Sequence, residues 1–286
     1  IKPYTLKKYF YRFFWKNGYY YYMEKKFKID FNFYRTRLVE VMDTYPPPTE
    51  KIGTCVDVGS NVGAFSLPMS NYCEKVISIE PFKENYDYMV SMIERYSIDN
   101  IIPINKAMSP ESGDMVEMKV LSEGHASGDI TCNETLDGES YTSLGSVETI
   151  SLGDVIKEYG EIDYMKVDCE GCEWDLLYRK DLSKIKMIVI EIHPGFIGDD
   201  KYVKLVDYLK NEYDITYVYH QEYKYLKNDH GEYEDPNLSS LKDCEFIFRR
   251  KETPKYEDNI YVTFRALKKS NGPIQREWLK NIKRYI

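Results

Sequence analysis

The stretch CVDVGSNVGAFS, Cys55–Ser66, decides the fold. Val56 and Val58 flank Asp57 in a β-branched run that stops at Gly59, and Ser60-Asn61-Val62-Gly63 then leads into a helix-forming segment from Ala64. Strand, tight glycine turn and helix start follow from that order of residue types. Such a turn lets a ligand approach bare backbone, and a helix N-terminus offers unpaired N–H groups and a partial positive charge. The stretch therefore reads as a cradle for a nucleotide-type cofactor, the plainer alternative being an ordinary strand-to-helix turn.

A second strand supports the cradle. CEKVISIEP, Cys73–Pro81, ends in Glu80, 21 residues after Gly59. In a doubly wound sheet this strand lies beside the first, so an acid at its carboxyl end can accept hydrogen bonds from the ribose diol of a ligand held on the first turn. A dinucleotide fingerprint wants G-x-G-x-x-G, and here the three positions are Gly59, Asn61 and Ala64. A side chain at Asn61 stands where a pyrophosphate would sit, so an adenosine ligand without pyrophosphate fits better. S-adenosylmethionine is such a ligand.

The chain of 286 residues, 43% apolar and 15% aromatic, is long enough for one large core with additions. No apolar run approaches the roughly eighteen residues of a membrane span, and no secretory leader pattern is found. Six cysteines stand at 55, 73, 132, 169, 172 and 244; a lone Cys169-x-x-Cys172 without nearby histidines is weak as a zinc site, and free thiols in a reduced, cytoplasmic protein are expected. Charge is uneven. Residues 1–37 carry ten Lys/Arg against Glu24 and Asp30, and 249–286 carry eleven against four acids, which leaves 38–248 with 18 basic and 41 acidic side chains, net −23. The basic ends point to contact with something anionic, for which the acidic middle is itself a candidate.

Three regions follow: an aromatic, basic extension over 1–45, a main domain over 46–252 and a basic tail over 253–286. The extension, with Tyr9, Phe10, Phe13, Phe14, Trp15 and Tyr19–Tyr22 among lysines and arginines, reads as a helical cap ended by Pro46-Pro47-Pro48, or alternatively as a stacking surface for nucleic acid or an interfacial helix. In the main domain strands and helices alternate, which predicts a parallel sheet with crossover helices. Helices are expected over Lys83–Tyr96, with Tyr86, Met89, Val90 and Ile93 on one face, and over Leu152–Tyr159, Cys172–Ile185 and Lys201–Tyr213. The third strand is read over 100–109, with Asn105, Lys106 and Ala107 near the adenine; the fourth over 162–171; the fifth over 186–194. ITYVYHQ and CEFIFRR suit an antiparallel edge hairpin, residues 110–150 a lid or acceptor wall, and Gln275–Tyr285 a helix in the tail.

Chemistry gathers at the ends of strands four and five. Asp168 and Glu170, two apart, share a side and converge on the mouth of the sheet. Glu173 falls in the next helix's first turn, where an acid is favourable anyway, and receives that structural reading. His193, ending strand five before Pro194, is placed to accept a proton or ligate a metal.

Together VDVGSNVGAFS, VISIEP, NKAMS, ISLGDVI, IDYMKVDCEGCEWDLL and VIEIHP resemble the FkbM family of S-adenosylmethionine-dependent methyltransferases over about residues 53–195, with K-x-D-x-E-G-x-E, Lys166–Glu173, the most specific piece. The resemblance implies a Rossmann-like class I methyltransferase fold, a mostly parallel seven-stranded α/β sheet with helices on both faces and an antiparallel last hairpin. It implies O-methylation of hydroxyls on sugars and natural products. It also implies cofactor contact by Asp57, Gly59, Asn61, Gly63 and Glu80, with Asp168, Glu170 and His193 on the acceptor side. A sugar or glycan acceptor is expected, with RNA 2′-O-methylation and a non-catalytic interaction module as alternatives. Asp168 or His193 would take the proton; a divalent metal on Asp168, Glu170 and His193 could instead acidify the hydroxyl.

Overall fold

The computed structural model describes residues 51–121, 130–132, 141–219 and 244–250, together with the short segments 15–16, 19–22 and 25–28 and positions 41, 45, 47 and 48. The basic tail 253–286 with its expected helix lies outside the described residues, as do 122–129 and 133–140 of the acceptor-wall segment and most of the aromatic extension. Lys51–Thr253 forms one compact unit, and Ile1–Glu50 with Pro254–Ile286 another.

In the extension, β1 (Trp15–Lys16), β2 (Tyr19–Tyr22) and β3 (Lys25–Lys28) pair antiparallel in that order. This corrects the expected helix: four successive tyrosines favour a pleated backbone over a helical one.

The main unit is built on seven strands. They are β4 (Ile52–Val58), β5 (Cys73–Ile79), β6 (Ile101–Ile104), β11 (Tyr164–Val167), β12 (Met187–Ile192), β13 (Tyr213–Tyr219) and β14 (Cys244–Arg250). Their order is β13-β14-β12-β11-β4-β5-β6. The five strands from β12 to β6 are parallel, and β14 runs antiparallel to both its neighbours. This is the class I methyltransferase arrangement, with the hairpin-like pair at one edge. The chain leaves β4 towards β5 on one side and returns to β11 on the other, so the topological switch point lies at the carboxyl ends of β4 and β11, where open α/β sheets bind ligands.

The third strand is shorter than expected. It breaks at Asn105-Lys106, and β7 (Ala107–Met108) leaves to join a second sheet of order β7-β10-β8-β9, with β8 (Met115–Leu121), β9 (Ile130–Thr131) and β10 (Tyr141–Ile150). Asn105 secures the break, donating from Nδ2 to the carbonyls of Glu80 and Pro81, both at 2.9 Å.

Side-chain alternation gives the main sheet two covered faces. On one face Val56, Val58, Ile77, Ile79, Met165, Val167, Ile188 and Ile190 form a core with α3 (Leu152–Tyr159), α4 (Glu173–Leu177) and α6 (Asp199–Glu212), through Leu152, Val155, Leu176, Leu177, Tyr202, Leu205, Val206 and Leu209. Each such buried aliphatic side chain contributes about 1.5–3 kcal/mol. The other face presents Cys55, Asp57, Ser78, Tyr164 and Lys166 to the region of α1 (Ser66–Met69) and α2 (Lys83–Arg95). α2 buries Asn85, Met89, Met92 and Ile93, a face turned slightly from the expected one, leaving Tyr86 and Val90 half-buried.

Two helices are shorter than the sequence suggests. α1 is a single turn: Met69 and Ser70 bond to the carbonyls of Phe65 and Ser66 across Pro68, but Asn71 and Tyr72 bond only three residues back, to Pro68 and Met69, which tightens and ends it. α4 ends at Leu177, since Tyr178 is extended and Arg179 left-handed at φ 58°. The short α5 (Pro194–Ile197) precedes α6. No helix among the described residues is long and apolar enough to cross a membrane. Cys169 and Cys172 form a disulfide, which corrects the expectation of free thiols there; Cys55, Cys73 and Cys132 are free.

Candidate active site

The turn after β4 is held open by backbone geometry that only particular residues tolerate. Gly59 has φ 74°, and a Cβ there would lie 1.8 Å from the carbonyl oxygen of Asp168, so β4 and β11 approach as closely as two backbones can. Asn61 is also left-handed, at φ 50°, and Gly63 at φ 83° packs under Met89. Glu80 closes the turn from the neighbouring strand: its Oε2 accepts from the Asn61 N–H at 2.7 Å and its Oε1 from the Phe82 N–H at 3.0 Å. Burial pushes the Glu80 carboxyl up to about 7, against the hydrogen bonds from Phe82, Asn61 and Asn85 that oppose it. Three donors leave a carboxylate, with about four lone-pair sites, room for one more, so Glu80 retains the capacity to accept a hydroxyl donor from a ribose.

Asp57 and Lys166 lie directly opposite one another across β4 and β11, both buried. Lys166 donates from Nζ to the Gly59 carbonyl at 2.8 Å and lies 3.2 Å from Asp57 Oδ1 and 3.4 Å from Asp168 Oδ2. Burial pushes the Lys166 ammonium down, but Asp57 and Asp168 more than offset this and hold it up. Burial pushes the Asp57 carboxyl up, with Lys166 and the 2.6 Å bond from Ser66 Oγ working the other way. Ser78 Oγ donates in turn to Ser66 Oγ. Asp57, expected to touch cofactor, thus anchors the turn from beneath, through a polar chain that joins three strands' worth of backbone.

The acidic end of the cleft centres on His193. Its Nδ1 is 2.7 Å from Glu173 Oε1, and Nε2 faces Glu170 Oε2 at 3.5 Å and Glu191 Oε1 at 3.8 Å. Glu173 is wholly buried, and its Oε1 also accepts from the Gly171 N–H at 3.1 Å. Burial pushes the imidazole pKa down, but the hydrogen bond to Glu173 and the charges of Glu173, Glu170 and Asp168 carry it well above the usual value. Asp168, Glu170 and His193 each direct one ligand atom into a space where all lie within 4.8 Å of one another.

The expected residues therefore fall into two neighbouring groups, Asp57, Gly59, Asn61, Gly63 and Glu80 at the β4 turn, and Asp168, Glu170 and His193 at the ends of β11 and β12. Lys106 and Ala107 join neither by contact: the Lys106 ammonium pairs with Glu148 at 2.6 Å, and Ala107 is buried in β7 beside Thr149. Lys166, Glu173 and Glu191 were missed. A lysine inside an apolar strand was the available signal for the first; for Glu173 there was none, because its partner is 20 residues away.

Among curated proteins none matches the chain. Solved structures are similar at low identity. An FkbM methyltransferase from Methylobacillus flagellatus KT has a TM-score of 0.40 and 17% identity, covering 69% of this chain and 43% of that one. An rRNA methylase from Streptococcus thermophilus has a TM-score of 0.40 and 9% identity over 76% and 95% of the two chains. TrmK of M. capricolum has a TM-score of 0.38 and 12% identity over 90% and 94%. Residues 57–232, well over half of the chain, match the Methyltransferase FkbM domain, and the chain belongs to that family of methyltransferases.

Proposed function

We propose that the protein transfers the methyl group of S-adenosylmethionine to a hydroxyl of a sugar, in a glycan or a glycosylated small molecule, with His193 taking the hydroxyl proton. The observation that carries this reading is the buried Glu173–His193 pair, whose Nε2, at the carboxyl end of β12, the strand next to β11, faces Glu170. A sugar hydroxyl is barely ionised at neutral pH, so its oxygen needs a base within reach as it attacks. Glu173 fixes the imidazole orientation and stabilises the imidazolium, which holds the pKa well above the usual value; the neutral base is therefore the minor form at neutral pH, and turnover rises as pH climbs. The Gly59–Gly63 turn and Glu80 are the residues that would hold the cofactor, which supplies a methyl group on a good sulfonium leaving group. Asp168, at the close approach of β4 and β11, lies between the two groups and would orient the acceptor. Bound at the Gly59–Gly63 turn, the cofactor would supply the methyl group and leave as a neutral thioether, while Nε2 of His193 would receive the hydroxyl proton.

The net −23 of residues 38–248 supports a neutral acceptor, since it repels a polyanion from the cleft. The basic ends could hold RNA from outside, so binding alone does not discriminate. A second reading places a divalent cation on Asp168, Glu170 and His193, favoured by their 4.8 Å clustering and the excess of carboxylates over cations around it. The test is transfer of label from the cofactor to panels of oligosaccharides and RNAs at two salt concentrations, with and without EDTA. Label in sugars that survives EDTA is expected; loss with EDTA and rescue by Mg²⁺ selects the second reading. Label in RNA ribose and in no sugar overturns the acceptor assignment.

A further inference from the structure

The motif left unabsorbed by this reading is Cys169-x-x-Cys172, whose disulfide encloses the turn that carries Glu170. The two enclosed residues are both left-handed, Glu170 at φ 52° and Gly171 at φ 109°. A non-glycine residue keeps such a backbone only where its surroundings over-determine it. Here those surroundings are the bridge itself, the Thr131 hydroxyl donating to the Glu170 carbonyl at 2.7 Å, and the Gly171 N–H donating to Glu173 Oε1. That same Glu173 oxygen holds His193 Nδ1. Mechanical constraint in the small disulfide ring is thus two hydrogen bonds away from the imidazole, through Glu173.

The bridge is reachable from solvent: Cys169 and Cys172 are each partly exposed, as is Cys132, whereas Cys55 and Cys73 are fully buried. Burial pushes the Cys55 thiol well up and the Cys132 thiol up to about 11, so neither supplies the thiolate that exchange requires.

We infer that Cys169–Cys172 is a thiol–disulfide exchange site, taken by a small dithiol reductant, whose bridged form locks the Glu170-Gly171 turn beside His193. One reductant thiolate attacks a bridge sulfur, breaking the S–S bond and forming a mixed disulfide. The second reductant thiol then displaces the protein sulfur. The reductant leaves oxidised as its own disulfide, and the protein retains two thiols, having gained two electrons and two protons. Without the ring the left-handed turn loses its covalent constraint while keeping the Thr131 and Glu173 bonds, and the Gly171 amide opens more often. A lower turnover of the reduced form rests on the proposed roles of Glu170 and His193; the opening of the turn does not.

The test uses the full chain purified without reductant, before and after dithiothreitol, with native-state alkylation by iodoacetamide and hydrogen exchange at the Gly171 amide. Two added carbamidomethyl groups, both on Cys169 and Cys172, and about tenfold faster exchange at Gly171 are expected, with β4 unchanged. The Cys169→Ser/Cys172→Ser variant should match the reduced protein and ignore dithiothreitol. No gain in alkylation, or a gain without faster exchange at Gly171, overturns the inference. So does a double variant that still responds to the reductant.

Discussion

Replacing Glu80 by glutamine should stabilise the protein above neutral pH while weakening its hold on the cofactor. Burial raises the carboxyl from its usual 4.5 to about 7. An acid whose folded value is raised contributes stability that is fully present below the unfolded value and is lost as pH rises through the folded one. The window is therefore pH 4.5 to 7, and the full loss is about 3 kcal/mol, from roughly 1.4 kcal/mol per unit. Glutamine removes the charge but cannot accept from both backbone donors. If its oxygen keeps the Phe82 N–H, its amide group faces the Asn61 N–H, and the lost bond costs about 1–2 kcal/mol. The net expectation at pH 8 is a gain of about 1–2 kcal/mol; at pH 5, where the wild-type side chain is already neutral, the variant should be equal or weaker. Urea denaturation at the two pH values reads the difference. Calorimetry with S-adenosylmethionine at pH 8 should give the opposite sign, a loss of about 1–3 kcal/mol for a charge-assisted bond to ribose. Affinity of the wild type should fall as pH drops below 7. A variant less stable at pH 8 than at pH 5 relative to wild type, or one that binds cofactor as tightly as wild type, would refute the reasoning.

Two further outcomes follow from the buried charges. In NMR titrations with EDTA present, the histidine signal missing from His193→Asn should titrate well above 6.5, and Glu173→Gln should bring it down, because the hydrogen bond and the charge of Glu173 both raise it; an unshifted signal rejects Glu173 as its support. Lys166→Met strands Asp57 as an unpaired buried carboxylate and should cost about 3–5 kcal/mol in urea at pH 8. Adding Asp57→Asn should recover part of that loss, and an additive double variant would deny the coupling.

The sheet was legible because each inner strand is a short β-branched or apolar run closed by glycine or a polar residue, as at Val58-Gly59, Ile79-Glu80 and Ile192-His193. The two site groups were legible for the same reason, since residues that end parallel strands share one rim. What escaped was tertiary. Glu173 does sit in the first turn of its helix, as read, but its side chain turns back to His193, a fact no local pattern encodes. Lys166 stood in plain view within the most specific motif, yet only the register with Asp57 gives it a task. The Cys169–Cys172 bridge depends on the left-handed pair between the sulfurs, and Glu170 gives no hint of that conformation. In the aromatic extension, interleaved lysines suggested an amphipathic helix where intrinsic strand preference prevailed.

The placement of β14 between β12 and β13 has a cost during synthesis. Until Cys244–Arg250 leaves the ribosome, β12 has a partner on only one side, and the open edge belongs to one of the most apolar strands of the sheet, Met187–Ile192. A nascent or truncated chain ending near residue 240 would thus carry a ready template for pairing with other chains. The last turn of protein synthesis in this domain is also the step that seals it against aggregation.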